Sequence, residues 1–206
     1  MRRSISLSRA NLDANLALVA ATHGTAVVVD VRLDAYGHGA LVVSERARAA
    51  GFTRFAHEGD ETTDAEIAGI VYGTAGGAPV MAAHGEVVAT KRLPAGSGIS
   101  YGYTYRLERD TTVALVGLGY ADGVPRLASS RGHVEIGGAR RLIAGRIAMD
   151  QFMADLGDDS ALPGDDVALW GGGGPTVGEW TATTGIPSLA LTSGLGARFS
   201  REWVES

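Results

Sequence analysis

The sequence contains no cysteine, which excludes disulfide bonds and thiolate metal sites. Imidazole is the other strong ligand, but no two of the five histidines stand at the i, i+4 spacing of a helical metal site. They are His23, His38, His57, His84 and His133. Long hydrophobic runs are also missing, so no segment approaches the length needed to cross a bilayer. We therefore expect neither a metal centre nor a membrane span.

Lysine is almost absent as well, because Lys91 is the only one in 206 residues. Basic residues number 18 against 23 acidic ones, and the formal net charge is -5. A nucleic-acid-binding domain would instead carry a basic stripe, so that class of function is set aside. The basic start at residues 1–3 is not followed by a continuous apolar segment, since Arg9 and Asp13 interrupt it. We expect a cytoplasmic globular protein.

The first part of the chain alternates between helical and strand patterns. Ser8 is placed to cap a helix over about 9–22, whose apolar positions recur at helical spacing. A β-branched run then predicts a buried strand over 25–31, followed by a glycine-containing turn at 37–39, a helix over 40–50 and a strand over 52–56. We expect a loop over 57–64, a further buried strand over 67–73 and a connector over 74–79. This order is typical of a parallel sheet or a barrel wall.

After residue 80 the hydrophobic pattern changes to a period of mainly two residues. It predicts strands over 80–92, 98–107, 111–119, 133–137, 140–147, 149–156 and 166–170. Gly137-Gly138 predicts a tight hairpin turn between two of them, and Gly171–Gly174 predicts a mobile loop. Closely spaced strands without long helices favour an all-β domain, such as a small barrel. We place the domain boundary near residue 79, giving domains 1–79 and 80–206.

Four separated motifs carry a resemblance to a known family. They are Asp34-Ala35-Tyr36-Gly37-His38-Gly39 after an apolar strand, the segment Lys91–Arg106, Gly119-Tyr120-Ala121-Asp122-Gly123, and Gly145–Gln151 with the sequence GRIAMDQ. In type and order they resemble the alanine racemases, the pyridoxal-phosphate-dependent enzymes of fold type III that interconvert L- and D-alanine for cell-wall precursors. The resemblance extends over nearly the whole chain.

This resemblance implies a fold made of two parts. Members of the family join an N-terminal (β/α)8 barrel to a C-terminal β domain, and a barrel alone takes roughly 250 residues. Here only residues 1–79 precede the β domain. We therefore expect an α/β remnant of the barrel with few βα units, followed by an all-β domain of the alanine racemase type. By the same resemblance, a homodimer is expected, or a heterodimer with a full-length racemase.

The resemblance also assigns roles to individual residues. It makes Tyr101 the catalytic base on the L-alanine side, acting across a dimer interface, and Met149 and Tyr120 substrate contacts. A free phenol titrates near pH ~10 and serves as a base only beside a cation. Tyr36 is the expected phosphate ligand, and Gly69 and Ile70 are carried over as further cofactor contacts. Taken as residues alone, Tyr36 could also be packed at a strand end, Met149 could belong to the core, and Tyr120 could be structural.

Several positions depart from the family pattern. Arg32 stands where the family has the lysine that binds the cofactor, and a guanidinium cannot form a Schiff base because it stays protonated. The arginine that contacts the pyridine nitrogen aligns with Glu66 or Ile67, and the mid-barrel arginine has no counterpart. Ala197 falls where some members have a phosphate-binding tyrosine. Lys91 is expected to be a surface residue rather than a relocated Schiff base.

Three hypotheses follow from these matches and departures. The first is an active racemase acting on L- and D-alanine, which Arg32 argues against. The second is a non-catalytic relative that docks on a full-length racemase and supplies Tyr101 in trans or blocks the site. The third is a decayed fragment, because a partial barrel exposes unpaired strand edges. Pyridoxal phosphate is the expected cofactor by resemblance, without covalent attachment.

Overall fold

A computed structural model describes residues 1–60 and 64–205. The chain divides into two compact units, each built from three segments. The β unit comprises Met1–Ile5, Ala82–Ile186 and Leu195–Ser200, and the helical unit comprises Ser6–Met81, Pro187–Gly194 and Arg201–Ser206. Strand β1 (Ser4–Ser8) and strand β12 (Ser200–Val204) each contain residues of both units.

The helical unit contains two short parallel strands and several helices. In chain order these are α1 (Arg9–His23), β2 (Val28–Asp30), α2 (Arg32–Gly37), α3 (Ala40–Ala49), β3 (Arg54–Ala56), α4 (Ala65–Val71) and, later in the chain, α6 (Ser188–Ser193). Strands β2 and β3 pair in parallel, with Val29 opposite Phe55. The core packs Leu12, Leu16 and Val19 of α1 against apolar residues of the strands, α3 and α4.

One prediction for this unit is met, one needs correction, and one falls partly outside the described residues. The helix predicted over 9–22 is α1, and the Ser8 hydroxyl accepts a hydrogen bond from Asn11 N at 3.0 Å as its cap. The strand predicted over 67–73 is instead helix α4, because the Asp64 carboxylate caps its start by accepting from Glu66 N and Ile67 N. The loop predicted over 57–64 includes residues 61–63, which lie outside the described residues.

The β unit is a closed antiparallel barrel of six strands. They are β4 (Met81–Leu93), β7 (Thr111–Val116), β8 (His133–Ile136), β9 (Ala139–Ala144), β10 (Phe152–Gly157) and β11 (Asp166–Trp170). Their order is β11-β8-β9-β10-β7-β4, and pairing of β11 with β4 closes the barrel. Side chains alternate between core and surface, and the turn predicted at Gly137-Gly138 joins β8 to β9.

Other parts of the β unit differ from the sequence pattern. The strand predicted over 98–107 is interrupted, because β5 (Gly98–Ile99) and β6 (Tyr105–Arg106) flank a helical turn at Tyr101–Tyr103. Helix α5 (Val177–Thr184) was not predicted, although Thr176 and Glu179 form a capping box at its start. Trp180 of this helix packs edge-on against Trp170, and its indole N–H donates to Leu169 O at 2.9 Å.

We predict that Asn15→Ala lowers the free energy of unfolding by about 2–3 kcal/mol, as measured by urea denaturation. The buried Asn15 amide donates to Val71 O at 3.2 Å and Ala78 O at 2.8 Å and accepts from Ala78 N at 2.7 Å. The substitution leaves these backbone groups without partners. Asn11→Ala is the control, since its one bond to Pro79 O is exposed, and a loss under ~1 kcal/mol is expected there. Equal losses in both variants would contradict this assignment.

Candidate functional site

The motif at residues 32–37 folds as a left-handed helical turn. Leu33, Asp34, Ala35 and Tyr36 have φ between 52° and 54° and ψ between 39° and 49°. L-residues reach this conformation at a cost of roughly 1–2 kcal/mol each, so the turn needs external bonds to hold it. The Asp34 carboxylate accepts from Ala40 N at 2.8 Å, and Leu33 N donates to Glu58 Oε1 at 2.5 Å. Position 32 lies at the start of this turn.

Asp30 organises the side chains around the turn. Its buried carboxylate accepts two parallel hydrogen bonds from Arg32, at 2.9 Å from Nε and 2.7 Å from Nη2. Tyr36 OH donates to the same carboxylate at 2.5 Å. Burial opposes ionisation of Asp30, but the bonds from Arg32 and Tyr36 outweigh it, so its pKa lies below the ordinary value. The bond to Asp30 raises the pKa of Arg32 above the usual arginine value.

Aromatic rings pack beneath this ion pair. Tyr72 OH donates to Asp30 O, and the Tyr72 ring meets the Tyr36 ring edge-on with centroids 5.5 Å apart. Burial raises the pKa of both phenols. His38 lies 4.7 Å from the Tyr72 ring, is fully buried, and bonds Ala35 O through Nδ1 at 2.9 Å. Nδ1 must carry the proton in this bond, so Nε2 is an acceptor, and it has no partner among the described residues.

Gly69 and Ile70, the other expected cofactor contacts, lie in helix α4. Gly69 O accepts the backbone N–H groups of Thr74 and Ala75, which closes the end of the helix. Their roles toward a cofactor stay predictions. The structure gives Glu66 and Ile67 no part in the Asp30 cluster, and both are in the first turn of the same helix.

In the β unit, the structure brings together the three residues expected at a substrate site. Tyr101, Tyr120 and Met149 line one open cavity of about 700 Å³. Its walls also include Arg126, Arg146, Ile147, Ala148, Asp150 and Gln151. The Tyr101 side chain is 72% exposed, and its hydroxyl has no hydrogen-bond partner within residues 1–60 and 64–205. Sequence reasoning missed both arginines as site residues, although Arg146 belongs to the quoted GRIAMDQ motif.

Two loops form the wall of this cavity and are joined through their backbones. Tyr120 N donates to Ala148 O at 3.0 Å, and Ala121 N donates to Met149 O at 2.9 Å. A Cβ at Gly119 would stand 2.3 Å from Met149 O, so only glycine permits this approach. The main chain therefore fixes Met149 relative to Tyr120. The Met149 N–H donates no hydrogen bond among the described residues and remains available at the cavity wall.

The loop carrying Tyr101 is strained and is tied to the same wall. Ser100 has φ 62° and ψ -171°, a region that residues other than glycine rarely occupy, and Tyr103 has φ 50°. The Ser100 hydroxyl donates to Arg146 O at 2.6 Å. The Arg146 guanidinium lies near Gly102, 3.7 Å from where a Cβ on that glycine would stand. A cation thus stands beside the loop that presents the Tyr101 phenol.

A buried carboxylate anchors these loops to distant parts of the chain. Asp122 is 0% exposed and receives Gly119 N at 2.9 Å. Arg3 Nε lies 2.9 Å from Oδ1, but its N–H is not aimed at the oxygen, so this contact is an ion pair without a hydrogen bond. Arg198 Nη1 bridges Asp122 Oδ1 at 3.3 Å and Asp150 Oδ1 at 2.6 Å. The carboxylate of Asp150, beside Met149, is therefore already paired.

Chemically, the two clusters differ. The cluster around Asp30 is closed on itself, and it holds no primary amine, because the one lysine, Lys91, is exposed on strand β4. The cavity around Tyr101 is open and carries guanidinium and phenol groups, a set suited to binding a small anion. Among the described residues, no three histidine or acidic side chains come together as a metal site. No described helix is long and apolar enough to span a bilayer.

Comparison with known proteins places the sequence match in the second part of the chain. A family profile described as "Alanine racemase, C-terminal domain" matches residues 80–203. An alanine racemase from Salinispora arenicola (strain CNS-205) is 48% identical over 122 residues, which are 58% of this chain and 33% of that protein. The chain thus spans about a third of the length of the curated relatives it matches.

Solved structures resemble the chain over a longer span. Alanine racemase from D-cycloserine producing Streptomyces lavendulae has a TM-score of 0.89 at 20% identity, covering 100% of this chain and 98% of that chain. Alanine racemase from Bartonella henselae, described with covalently bound pyridoxal phosphate, has a TM-score of 0.85 at 15% identity, covering 99% and 100%. At such identities the likeness concerns the fold alone. It extends beyond the segment that the sequence match covers.

We predict that stability falls as the pH is lowered from about 6.5 to about 4, because of His38. Burial lowers the pKa of His38 to about 4, whereas an imidazole in the unfolded chain titrates near ~6.5. The unfolded chain then takes up a proton that the folded chain does not, so the contribution is complete above pH ~6.5 and is lost as the pH falls. The loss is on the order of 3 kcal/mol, measured by urea unfolding across this range.

The variant His38→Phe should reduce the slope of unfolding free energy against pH in this window, even if its overall stability is lower. His23→Gln is the control, because His23 is exposed at the end of α1 and its loss should leave the slope unchanged. The lowered pKa of Asp30 acts in a separate window, below its ordinary value of 3.8. An unchanged slope in His38→Phe would show that another group titrates there.

Proposed function

Because this chain belongs to the alanine racemase family, with the match on the C-terminal domain, we propose that it is a racemase-like protein impaired in racemisation. One observation carries the proposal. The residue at the start of the Asp34–Gly39 motif is Arg32, whose guanidinium is held by two hydrogen bonds to Asp30. A bidentate ion pair of this kind leaves no nucleophile at the position, since guanidinium stays protonated. The reaction with L- or D-alanine then lacks one of its two proton-transferring groups.

The residues around the turn do not fit pyridoxal phosphate, the cofactor expected from the family. The Tyr36 hydroxyl, the expected hydrogen-bond donor to the cofactor phosphate, already donates to Asp30. A phosphate bound to Tyr36 would break the hydrogen bond between Tyr36 and Asp30. It would also face the buried negative charge of Asp30 at short range. Arg32, the nearest cation, is committed to the same carboxylate. Covalent attachment is not expected, and we derive no step of the reaction through this group.

The part of the family site that this chain retains is the cavity of the β unit. There Tyr101 is the proposed base, Arg146 is the adjacent cation, and Met149 and Tyr120 are the proposed substrate contacts. From the sequence we propose two domains, a barrel segment over 1–79 and a β domain over 80–206. This division assigns the cavity to the second domain. A half-site of this kind requires a complementary surface with an amine to complete racemisation.

A second function, association with a full-length racemase, is favoured by the exposure of this half-site. In the cavity Tyr101 is 72% exposed and Met149 52%, and Tyr103, in the same helical turn as Tyr101, is 65% exposed. Aromatic and arginine side chains are the types that dominate binding energy in interfaces. The proposed partners are a second copy of the chain, or a complete racemase to which it supplies Tyr101 or whose site it blocks.

We predict that the purified chain with added pyridoxal phosphate shows no racemase activity and no cofactor group that borohydride fixes to residue 32. Arg32→Lys alone should also fail, because Asp30 would hold the new ammonium in its charged form. Asp30→Asn with Arg32→Lys removes that charge and is the matched test of the ion pair. Labelling at position 32 only in the double variant would identify Asp30 as the block. Racemisation by the native chain would overturn the proposal.

We further predict that the chain co-elutes with the full-length alanine racemase of Salinispora arenicola in size-exclusion chromatography. Tyr101→Ala with Tyr103→Ala should weaken this association at least tenfold, since anchor aromatics carry ~2 kcal/mol or more each. Leu162→Ala is the control, because Leu162 is 70% exposed and does not line the cavity. Absence of co-elution, together with non-cooperative thermal unfolding of the chain alone, would favour a decayed fragment.

A further inference from the structure

Most arginines of the β unit are paired, but two in the Tyr101 cavity are not. Arg126 and Arg146 form no ion pair and donate no side-chain hydrogen bond within the part of the chain that the structure describes. Arg126 lies over the Tyr120 ring at 5.8 Å from its centroid. Both guanidiniums therefore keep their donors for a ligand. Unsatisfied guanidiniums at one concave surface favour oxyanions, because their donors match carboxylate and phosphate geometry.

The one carboxylate on the wall of this cavity is withdrawn from competition. Asp150 lines the same cavity as both arginines, and its Oδ1 accepts from Arg198 at 2.6 Å. Arg198 is held in turn by the fully buried Asp122, which also pairs with Arg3. These contacts form a row of alternating charge in the order Arg3, Asp122, Arg198 and Asp150. Arg198 therefore balances the charge of Asp150, and the positive charges of Arg126 and Arg146 stay in excess in the cavity.

We infer that this cavity is a binding site for a small dianion, a dicarboxylate or a phosphate, held by Arg126 and Arg146, with Arg198 as a positioning residue that keeps Asp150 from occupying them. The unbonded Met149 N–H at the same wall supplies a further donor. This inference rests on the proposed function in one respect, because both take the cavity to be a ligand-binding site. The dianion is recognised by charge, so it does not need the amine chemistry that Arg32 lacks.

Titration of the 15N-labelled full chain with inorganic phosphate and, separately, with succinate tests the site. Saturable amide shifts at Tyr101, Tyr120 and Met149 are expected with at least one of them. Arg126→Gln with Arg146→Gln should weaken this binding at least tenfold, while Arg131→Gln, an exposed arginine outside the cavity, should change it less than about twofold. No saturable shift with either anion, or binding unchanged in the double variant, would overturn the site.

The positioning role has its own test. Arg198→Gln leaves Asp150 uncompensated and should weaken anion binding about three- to tenfold, the scale of one extra charge at the cavity wall. Adding Asp150→Asn should restore it, and Asp150→Asn alone should bind as well as or better than the native chain. Weakening that Asp150→Asn does not reverse, or weaker binding by Asp150→Asn alone, would overturn this role.

A parallel titration with L-alanine separates this inference from the proposed function. Dianion binding without alanine binding supports the anion site and counts against alanine as the ligand of the half-site. Alanine binding that survives Arg126→Gln with Arg146→Gln, without any dianion binding, overturns the anion site and leaves the half-site standing. Each result assigns the failure to one of the two statements.

Discussion

The ion pair between Asp30 and Arg32 determines both the chemistry at position 32 and the anchoring of the left-handed turn in the helical unit. A buried carboxylate is costly unless it is paired, and here Arg32 and Tyr36 together satisfy it. The same bonds hold the side chains at both ends of a left-handed turn that the backbone alone would disfavour. Chemistry and stability are therefore in opposition at this position, because the group that stabilises the turn is one that cannot act as an amine.

The sequence motifs identified the family, and the match over residues 80–203 confirms it. Patterning also located helix α1 and most strands of the barrel, where alternation against one core leaves few alternatives. It failed where local bonds decide the structure. The apolar run in helix α4 fits a strand as well as a helix, and the Asp64 cap favours the helix. Strand prediction over 98–107 could not anticipate a turn held by Ser100 in a strained conformation.

Sequence reasoning named residues inside the motifs and missed the charged residues between them. Tyr101, Tyr120 and Met149 were named from the sequence, and the structure places them on one cavity. Nothing in the sequence pairs Asp30 with Arg32 rather than with another cation, since that depends on the handedness of the turn. The link from Asp122 through Arg198 to Asp150 spans segments far apart in sequence, and no short motif contains it.

The position of Arg198 also bears on how the β unit is made. Asp122 and Arg198 are 76 residues apart in sequence, and Arg3 contacts the same oxygen, Asp122 Oδ1. During synthesis, the loops of the cavity are complete well before the second arginine leaves the ribosome. Until then Arg3 is the one cation synthesised of the two that contact Asp122. The cavity can therefore reach its final electrostatic state only after translation has passed residue 198.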